Sequence, residues 1–252
     1  MGRTVETGGT VPYGELVSFT NSVKSYYQFY MRVLREGFVN RLLTVSVPQT
    51  KLWERLADQE RIDETIRALN ANGFKAELVS DRRAALERVR SLIPDGADVM
   101  TGSSKTLDEI GLVSMLSSGS HPWNNLKAKI VAEKDRAKQM ALRRSATFAD
   151  YFVGSVQAIT TKGEMVAGSA SGSQLGAYAF GGKNLIIVAG TNKITEDLDE
   201  ALLRLREHST QLEDQRMKKL GFPGTFLSKI LIYEGERERN VHVILVNEKL
   251  GF

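Results

Sequence analysis

No cysteine occurs in the chain, which removes disulfides, thiolate metal sites, iron-sulfur ligation and a cysteine nucleophile together. Histidine is nearly as scarce. His121, His208 and His242 stand far apart, without HxH or HxxxH spacing, so no metal site is expected. No apolar run approaches the roughly 20 residues that span a bilayer, and residues 1–10 lack the apolar segment of a signal peptide. The expectation is a soluble, cytoplasmic protein with no membrane association. One-sided charge is missing too. The 34 Lys and Arg are interspersed with 30 Asp and Glu, whereas nucleic-acid binders gather basic residues into one patch with aromatics between them. Nucleic acid is therefore not an expected partner.

What is present is ordinary globular material. With 42% apolar and 25% charged residues over 252 positions, the chain can bury the core of one α/β domain with a small appendage. Residues 1–20 are rich in Gly and Thr and show no period, so they read as flexible. Tyr26, Tyr27, Phe29, Tyr30, Val33, Leu34 and Phe38 fall loosely at helical spacing, as in an amphipathic helix packing on the domain or on a second subunit. Alternatively, Met31 lies nearer the true start. Residues 1–49 are thus assigned to an N-terminal extension and 50–252 to the α/β domain.

Within that domain the periods alternate between helix and strand. Leu52, Trp53, Leu56, Ile62, Ile66 and Leu69 supply one interrupted or two consecutive helices, stopped by Asn72-Gly73. A strand over 74–79 is followed by a helix capped by Ser80 or Asp81, a turn at Pro94-Asp95-Gly96 and a strand over 97–101. This is a β-α-β unit with parallel strands. Thr106 and Glu109 form a T-x-x-E capping box for the next helix, and Asn124-Asn125 cap a long helix over 126–147. That helix reads as a solvated charged face, with Arg143 and Arg144 as the basic residues nearest the following strand.

A strand over 150–157 leads to a hairpin bent at Thr161-Lys162-Gly163. A Gly/Ser loop follows, and then a helix capped by Ser173 that buries Leu175, Tyr178 and Ala179. Gly176 inside that short helix implies close packing or a nearby ligand. The uninterrupted apolar run over 185–189 reads as a strand buried on both faces. The strands over 229–233 and 241–246, joined by a charged turn, are expected to be antiparallel neighbours.

Three polar loops leave the carboxyl ends of predicted strands, where ligands bind in open α/β sheets. The first holds Gly102, Ser103, Ser104, Lys105 and Thr106. The second holds Ser169, Ser171, Gly172, Ser173 and Gln174, and the third holds Thr191, Asn192 and Lys193. Gly-rich backbone and hydroxyls before a helix N-terminus suit an anion, with Lys105 and Lys193 supplying charge. The G-S-S-K-T string does not satisfy the Walker pattern, so nucleotide hydrolysis is not expected.

The strings MTGSSKTLDEIG (100–111), ADYFVGSVQAITTKGEMVAGSASGSQL (149–175), IIVAGTNKITEDLDEAL (186–202) and NEKLGF (247–252) resemble the LUD domain, named for lactate-utilisation proteins. The resemblance runs over residues 53–252. It implies a three-layer α/β/α fold with a mostly parallel sheet, similar to the superfamily of ribose-5-phosphate isomerase, glucosamine-6-phosphate deaminase and the CoA transferases. Some relatives serve lactate oxidation with iron-sulfur partners, and others carry a cysteine-rich C-terminal segment. This chain resembles the cysteine-free branch. CoA transferases use a glutamate near a hairpin, of which Glu164 is a loose positional analogue, but a solvated Glu164 is the expectation and no catalytic residue is assigned.

Two readings follow. In one, a small anionic metabolite, phosphorylated, CoA-type or carboxylate, binds between the Gly/Ser loops without a resident cofactor, with a role in lactate or organic-acid utilisation. In the other, the chain is a non-catalytic subunit or scaffold of a lactate-oxidising complex, with a homodimer or an iron-sulfur protein as partner.

Overall fold

The computed structural model describes residues 53–252. The expectations for residues 1–49 lie outside that range. In chain order the elements begin with α1 (Gln59–Ala71), β1 (Lys75–Val79), α2 (Arg82–Leu92), β2 (Asp98–Thr101), α3 (Lys105–Glu109) and α4 (Leu112–Ser118). Next come β3 (Asn124–Asn125), α5 (Leu126–Ala132), α6 (Arg136–Ser145), β4 (Tyr151–Gly154), β5 (Ala158–Thr160) and β6 (Met165–Ser169). A π turn (Ala177–Gly181) then precedes β7 (Asn184–Gly190), a 3₁₀ turn (Thr191–Lys193) and β8 (Ile194–Thr195). The chain ends with α7 (Leu198–Arg204), a second π turn (Leu205–Ser209), α8 (Thr210–Lys219), β9 (Lys229–Tyr233) and β10 (Asn240–Val246).

Six strands form one sheet in the order β1-β10-β7-β4-β2-β3, every pair parallel. Successive side chains of a strand point to opposite faces, and β7 and β10 are apolar on both. Leu185, Ile187, Ala189, Val243 and Leu245 enter one core with Ile62 and Leu69 of α1. Ile186, Val188, Ile244 and Val246 enter the other with Ala85 and Val89 of α2 and with Leu107, Leu112 and Met115 of α3 and α4. The expected layered α/β architecture is therefore present. On the α1 side it also carries a second sheet, β8-β5-β6-β9, whose Ile159, Met165 and Ala167 join the first core.

Several local expectations change. β9 and β10 are not a hairpin. β9 runs antiparallel to β6 in the small sheet, while β10 inserts in parallel between β1 and β7. The reason is visible in their faces: five of the seven residues of β10 are buried, whereas none of β9 is, so only β10 fits the centre of a covered sheet. β1 and β2 are parallel but separated by β10, β7 and β4. The 150–157 strand ends at Gly154 in the main sheet, and the hairpin proper is β5 with β6, antiparallel across the bend with Gly163 at φ +82°.

The long helix over 126–147 is broken. Asn125 caps α5 by accepting from Ala128 N, and Asp135 starts α6 by accepting from Lys138 N. α6 buries no residue at all, so no apolar stripe holds the two segments in line. Likewise α3 is capped by Ser104, whose Oγ accepts from Leu107 N, and not by a Thr106/Glu109 box. Thr106 is already inside the helix, and the Glu109 carboxylate accepts from Gly251 N at 2.6 Å. In the segment after the second loop the buried residues are Leu175, Ala177 and Tyr178, with Ala179 exposed, and Ser173 bonds Ser171 and caps nothing. A Cβ on Gly176 would meet only Thr147 Cγ2, at 3.9 Å, so close packing does not require that glycine.

Candidate functional site

The carboxyl ends of β2, β4, β6 and β7 open on one cavity of about 420 Å³. The first predicted loop lines it completely, from Gly102 to Thr106. From the second loop Ser169, Ser171, Ser173 and Gln174 face it, and from the third only Lys193 does. Gly172, Thr191 and Asn192 do not line it. The first two loops touch: a Cβ on Gly102 would lie 2.5 Å from Gln174 Oε1.

Most polar groups in these loops are held by hydrogen bonds, the buried Thr191 Oγ1 and Asn192 Nδ2 excepted. Ser103 Oγ accepts from Arg216 Nη2 at 3.3 Å, and Lys105 Nζ is shared between Asp108 at 3.3 Å and Glu109 at 3.7 Å. Ser169 Oγ accepts from Gly172 N at 2.9 Å, and the Ser171 and Ser173 hydroxyls bond each other at 3.0 Å. Asn192 is buried and turned away, its Oδ1 accepting from Leu250 N at 3.1 Å. Thr191 is fully buried. Asn192 thereby ties the third loop to the segment after β10, while the Thr191 carbonyl accepts from Ala57 N at 3.4 Å. Glu164 accepts from the Thr160 hydroxyl at 2.6 Å and does not reach the cavity.

Lys193 is not the exposed cation that the loop sequence suggests. It is 2% exposed, and its Nζ donates to Thr106 Oγ1 at 2.8 Å, Ser155 Oγ at 3.0 Å and Val156 O at 3.0 Å. Burial without an ion-pair partner disfavours the ammonium. Its pKa is lowered to about 7, first by desolvation and then by Arg204, with Glu109 acting the other way. Ser155 follows Gly154 at the end of β4. Its backbone is fixed by the buried Tyr178 hydroxyl, which accepts from Ser155 N at 3.0 Å and donates to Ser155 O at 2.8 Å.

Residues outside the predicted loops complete the wall. Lys127 on α5 is half-buried and donates to Gly102 O at 3.1 Å. Its pKa is lowered by burial and by the nearby cations Arg216 and Arg143. Arg143 of α6 also lines the cavity, whereas Arg144 does not. Arg216 is neutralised by Glu213 at 2.6 Å, but Lys127 and Arg143 have no carboxylate partner among the described residues. Neither Lys127 nor Ser155 carried a local signal. Ser155 follows the end of β4 at Gly154, whereas the expected strand over 150–157 places it inside a strand, and Lys127 reads as one more charge on a solvated helix.

Behind the third loop lies a support built from Arg204 and His208. Arg204 is fully buried. Its guanidinium donates to Gln157 O, to Ser209 Oγ at 3.0 Å, to Trp53 O at 3.3 Å and to Asn192 O at 3.4 Å. Burial pushes its pKa down to about 10, opposed by Glu200 and Glu54. His208, packed on Trp53 at 5.8 Å, is held down to about 4 by burial first, then by Arg204, with Lys249 adding to the shift and Glu54 opposing it.

A pH dependence follows from His208. Its folded pKa lies below the unfolded value of about 6.5, so between the two the unfolded chain binds a proton that the folded chain refuses, and stability rises with pH. The contribution is complete above about pH 6.5 and is lost as pH falls toward about 4. Thermal unfolding at pH 7 and at pH 4.5 should therefore show a drop in Tm on acidification that is smaller in His208→Gln. An equal drop in the two proteins would refute the assignment.

No group of three or more His, Cys, Asp or Glu among the described residues is placed to hold a metal ion. No described helix is long and apolar enough to cross a membrane.

The LUD domain family model matches residues 62–246. Among solved structures, a DUF162 family protein from Deinococcus radiodurans is similar at 12% identity and TM-score 0.47, over 77% of this chain and 100% of that one. The eIF2B delta protein from Chaetomium thermophilum is similar at 16% identity and TM-score 0.31, over 57% of this chain and 56% of that one. Curated proteins return no match.

Proposed function

The chain belongs to the LUD domain family, and from that premise we propose that its cavity binds a small anionic metabolite, phosphorylated, CoA-type or carboxylate, in the service of lactate or organic-acid utilisation. The observation that supports this most is the charge on the wall. Lys127 is half-buried beside two arginines, Arg143 and Arg216, and among the described residues neither it nor Arg143 has a carboxylate to neutralise it. Placing like charges together lowers the stability of the empty site, and an anion between them reverses that cost. The hydroxyls of Ser103, Ser171 and Ser173 add donors on the same rim.

The test is a titration calorimetry and thermal-shift series with inorganic phosphate, sugar phosphates, acyl-CoA esters and hydroxy acids. At least one class should bind and raise Tm, and Lys127→Met should weaken it by about tenfold or more, the scale of one charge-assisted contact. Raising ionic strength should weaken it as well. Absence of binding across all four classes would overturn the reading.

A further inference from the structure

At the floor of the same cavity, Ser155 Oγ and Lys193 Nζ lie 3.0 Å apart, and the anionic ligand proposed above does not use them. Among the described residues Lys193 has no ion-pair partner; both side chains line the cavity, and Ser155 is the more exposed, 9% against 2%. The backbone closes over the amine: a Cβ on Gly251 would lie 2.3 Å from Thr106 Oγ1 and 3.1 Å from Lys193 Nζ. On the other side Tyr178 locks the Ser155 peptide, and a Cβ on Gly154 would fall 2.0 Å from its hydroxyl.

We infer that Ser155 and Lys193 form a nucleophile and general-base pair for acyl transfer from an ester or thioester whose other end carries an anionic group. The inference rests on the anion-binding reading only for that last feature. Three acceptors surround Nζ, enough for an ammonium. Once the amine is neutral its two N–H groups keep Thr106 Oγ1 and Val156 O, at 2.8 Å and 3.0 Å, and its lone pair faces the Ser155 hydroxyl, whose other acceptors are Thr106 Oγ1 at 3.3 Å and Val156 O at 3.5 Å. In the first step Oγ bonds to the acyl carbon and its proton passes to Nζ. The bond to the leaving oxygen or sulfur then breaks, and Nζ returns the proton to the departing group. Water or a second acceptor next attacks the acyl carbon on Ser155 and gives its proton to Lys193; the bond from that carbon to Oγ then breaks and Nζ returns the proton to Oγ, which restores the amine and the hydroxyl with no net oxidation or reduction. Serine and lysine are known to serve together in this way.

The charged groups facing Lys193 are Arg204 of α7, which favours the neutral amine, and Glu109 of α3, which favours the ammonium. Reactivity should accordingly rise with pH through about 7 as the amine loses its proton.

The test uses the full chain with a fluorophosphonate probe and with p-nitrophenyl acetate, read by intact mass and peptide mapping between pH 5.5 and 9. One adduct on Ser155 is expected, with a rate that rises through a single inflection. Lys193→Met should slow labelling by 100-fold or more and remove the inflection. Its fold is checked by circular dichroism. Should Lys193→Met fail to fold, Ser155→Cys keeps the lysine and should react with iodoacetamide well below the pH at which a free thiol does. No adduct, an adduct on Lys193, or labelling indifferent to a folded Lys193→Met would overturn the pair. Phosphate binding by the unsubstituted protein is read separately. If phosphate binds and no adduct forms, the pair fails and the anion site stands. If an adduct forms and none of the four ligand classes binds, the reverse holds.

Discussion

Replacing Arg204 with methionine should cost about 3–5 kcal/mol of stability, the largest effect expected in the described domain. Methionine restores most of the volume but none of the donors. The carbonyls of Gln157, Trp53 and Asn192 and the Ser209 hydroxyl lose the guanidinium that satisfies them. Each orphaned buried acceptor costs about 1–3 kcal/mol. The relief from no longer burying a charge offsets part of that sum, which is why the expected loss stays below the total of four contacts. Urea unfolding at pH 7.5 checks it, and a loss below about 1 kcal/mol would show that these carbonyls find other donors. A second readout is independent of stability. Arg204 lowers the Lys193 pKa, so in Arg204→Met at low urea the inflection of Ser155 labelling should move to higher pH.

Gly190→Ala is expected to be nearly as damaging, by about 2–4 kcal/mol, at and above the upper end of ordinary overpacking. The residue closes β7, six of whose seven residues are buried, and the segment after β10 crosses directly above it. An added methyl would lie 2.3 Å from Asn192 Oδ1, 2.5 Å from Glu248 O and 2.7 Å from Leu250 N. Two of the three are backbone atoms and cannot rotate away. Relief requires the 248–251 segment to lift, which breaks the bond from Leu250 N to Asn192 Oδ1 and uncovers Lys193. The variant should therefore lose Tm and expose the lysine amine to acylating reagents. Gly176→Ala is the matching control. It has a helical backbone and meets only Thr147 Cγ2, at 3.9 Å, so it should be neutral or stabilising by up to about 1 kcal/mol. Equal losses in the two variants would contradict the packing argument.

Much of the fold was legible because its signals are local. Asp81 and Asn125 bind N–H groups two or three residues ahead, a geometry that depends on nothing distant. Gly73 and Gly96 turn the chain at φ +89° and +76° where the sequence places stops. Where local signals failed, a competing contact is visible. The T-x-x-E pattern at Thr106 and Glu109 is a valid capping box by spacing, but Ser104 stands two positions earlier with the right backbone and takes the role. The 126–147 helix has a usable charge pattern, but without a buried stripe the Asp135 cap divides it. The first predicted loop faces the cavity from end to end, since it is a short turn between one strand and one helix. The third does not, because the chain after β10 packs on Gly190 and Asn192.

By itself the sequence determined the family, most of the helices and strands, and which strand ends would carry polar loops. These follow from side-chain period, capping chemistry and glycine placement, all of which act within a few residues. Only the tertiary structure decided that β10 lies between β1 and β7, since strand neighbours are chosen by which faces must be covered on both sides. It also decided the character of Lys193. That lysine becomes a buried amine and not a surface cation because Thr106, 87 residues away, and Ser155, 38 residues away, converge on its nitrogen. Burial acts through whatever surrounds a group in space, and no spacing along the chain encodes it.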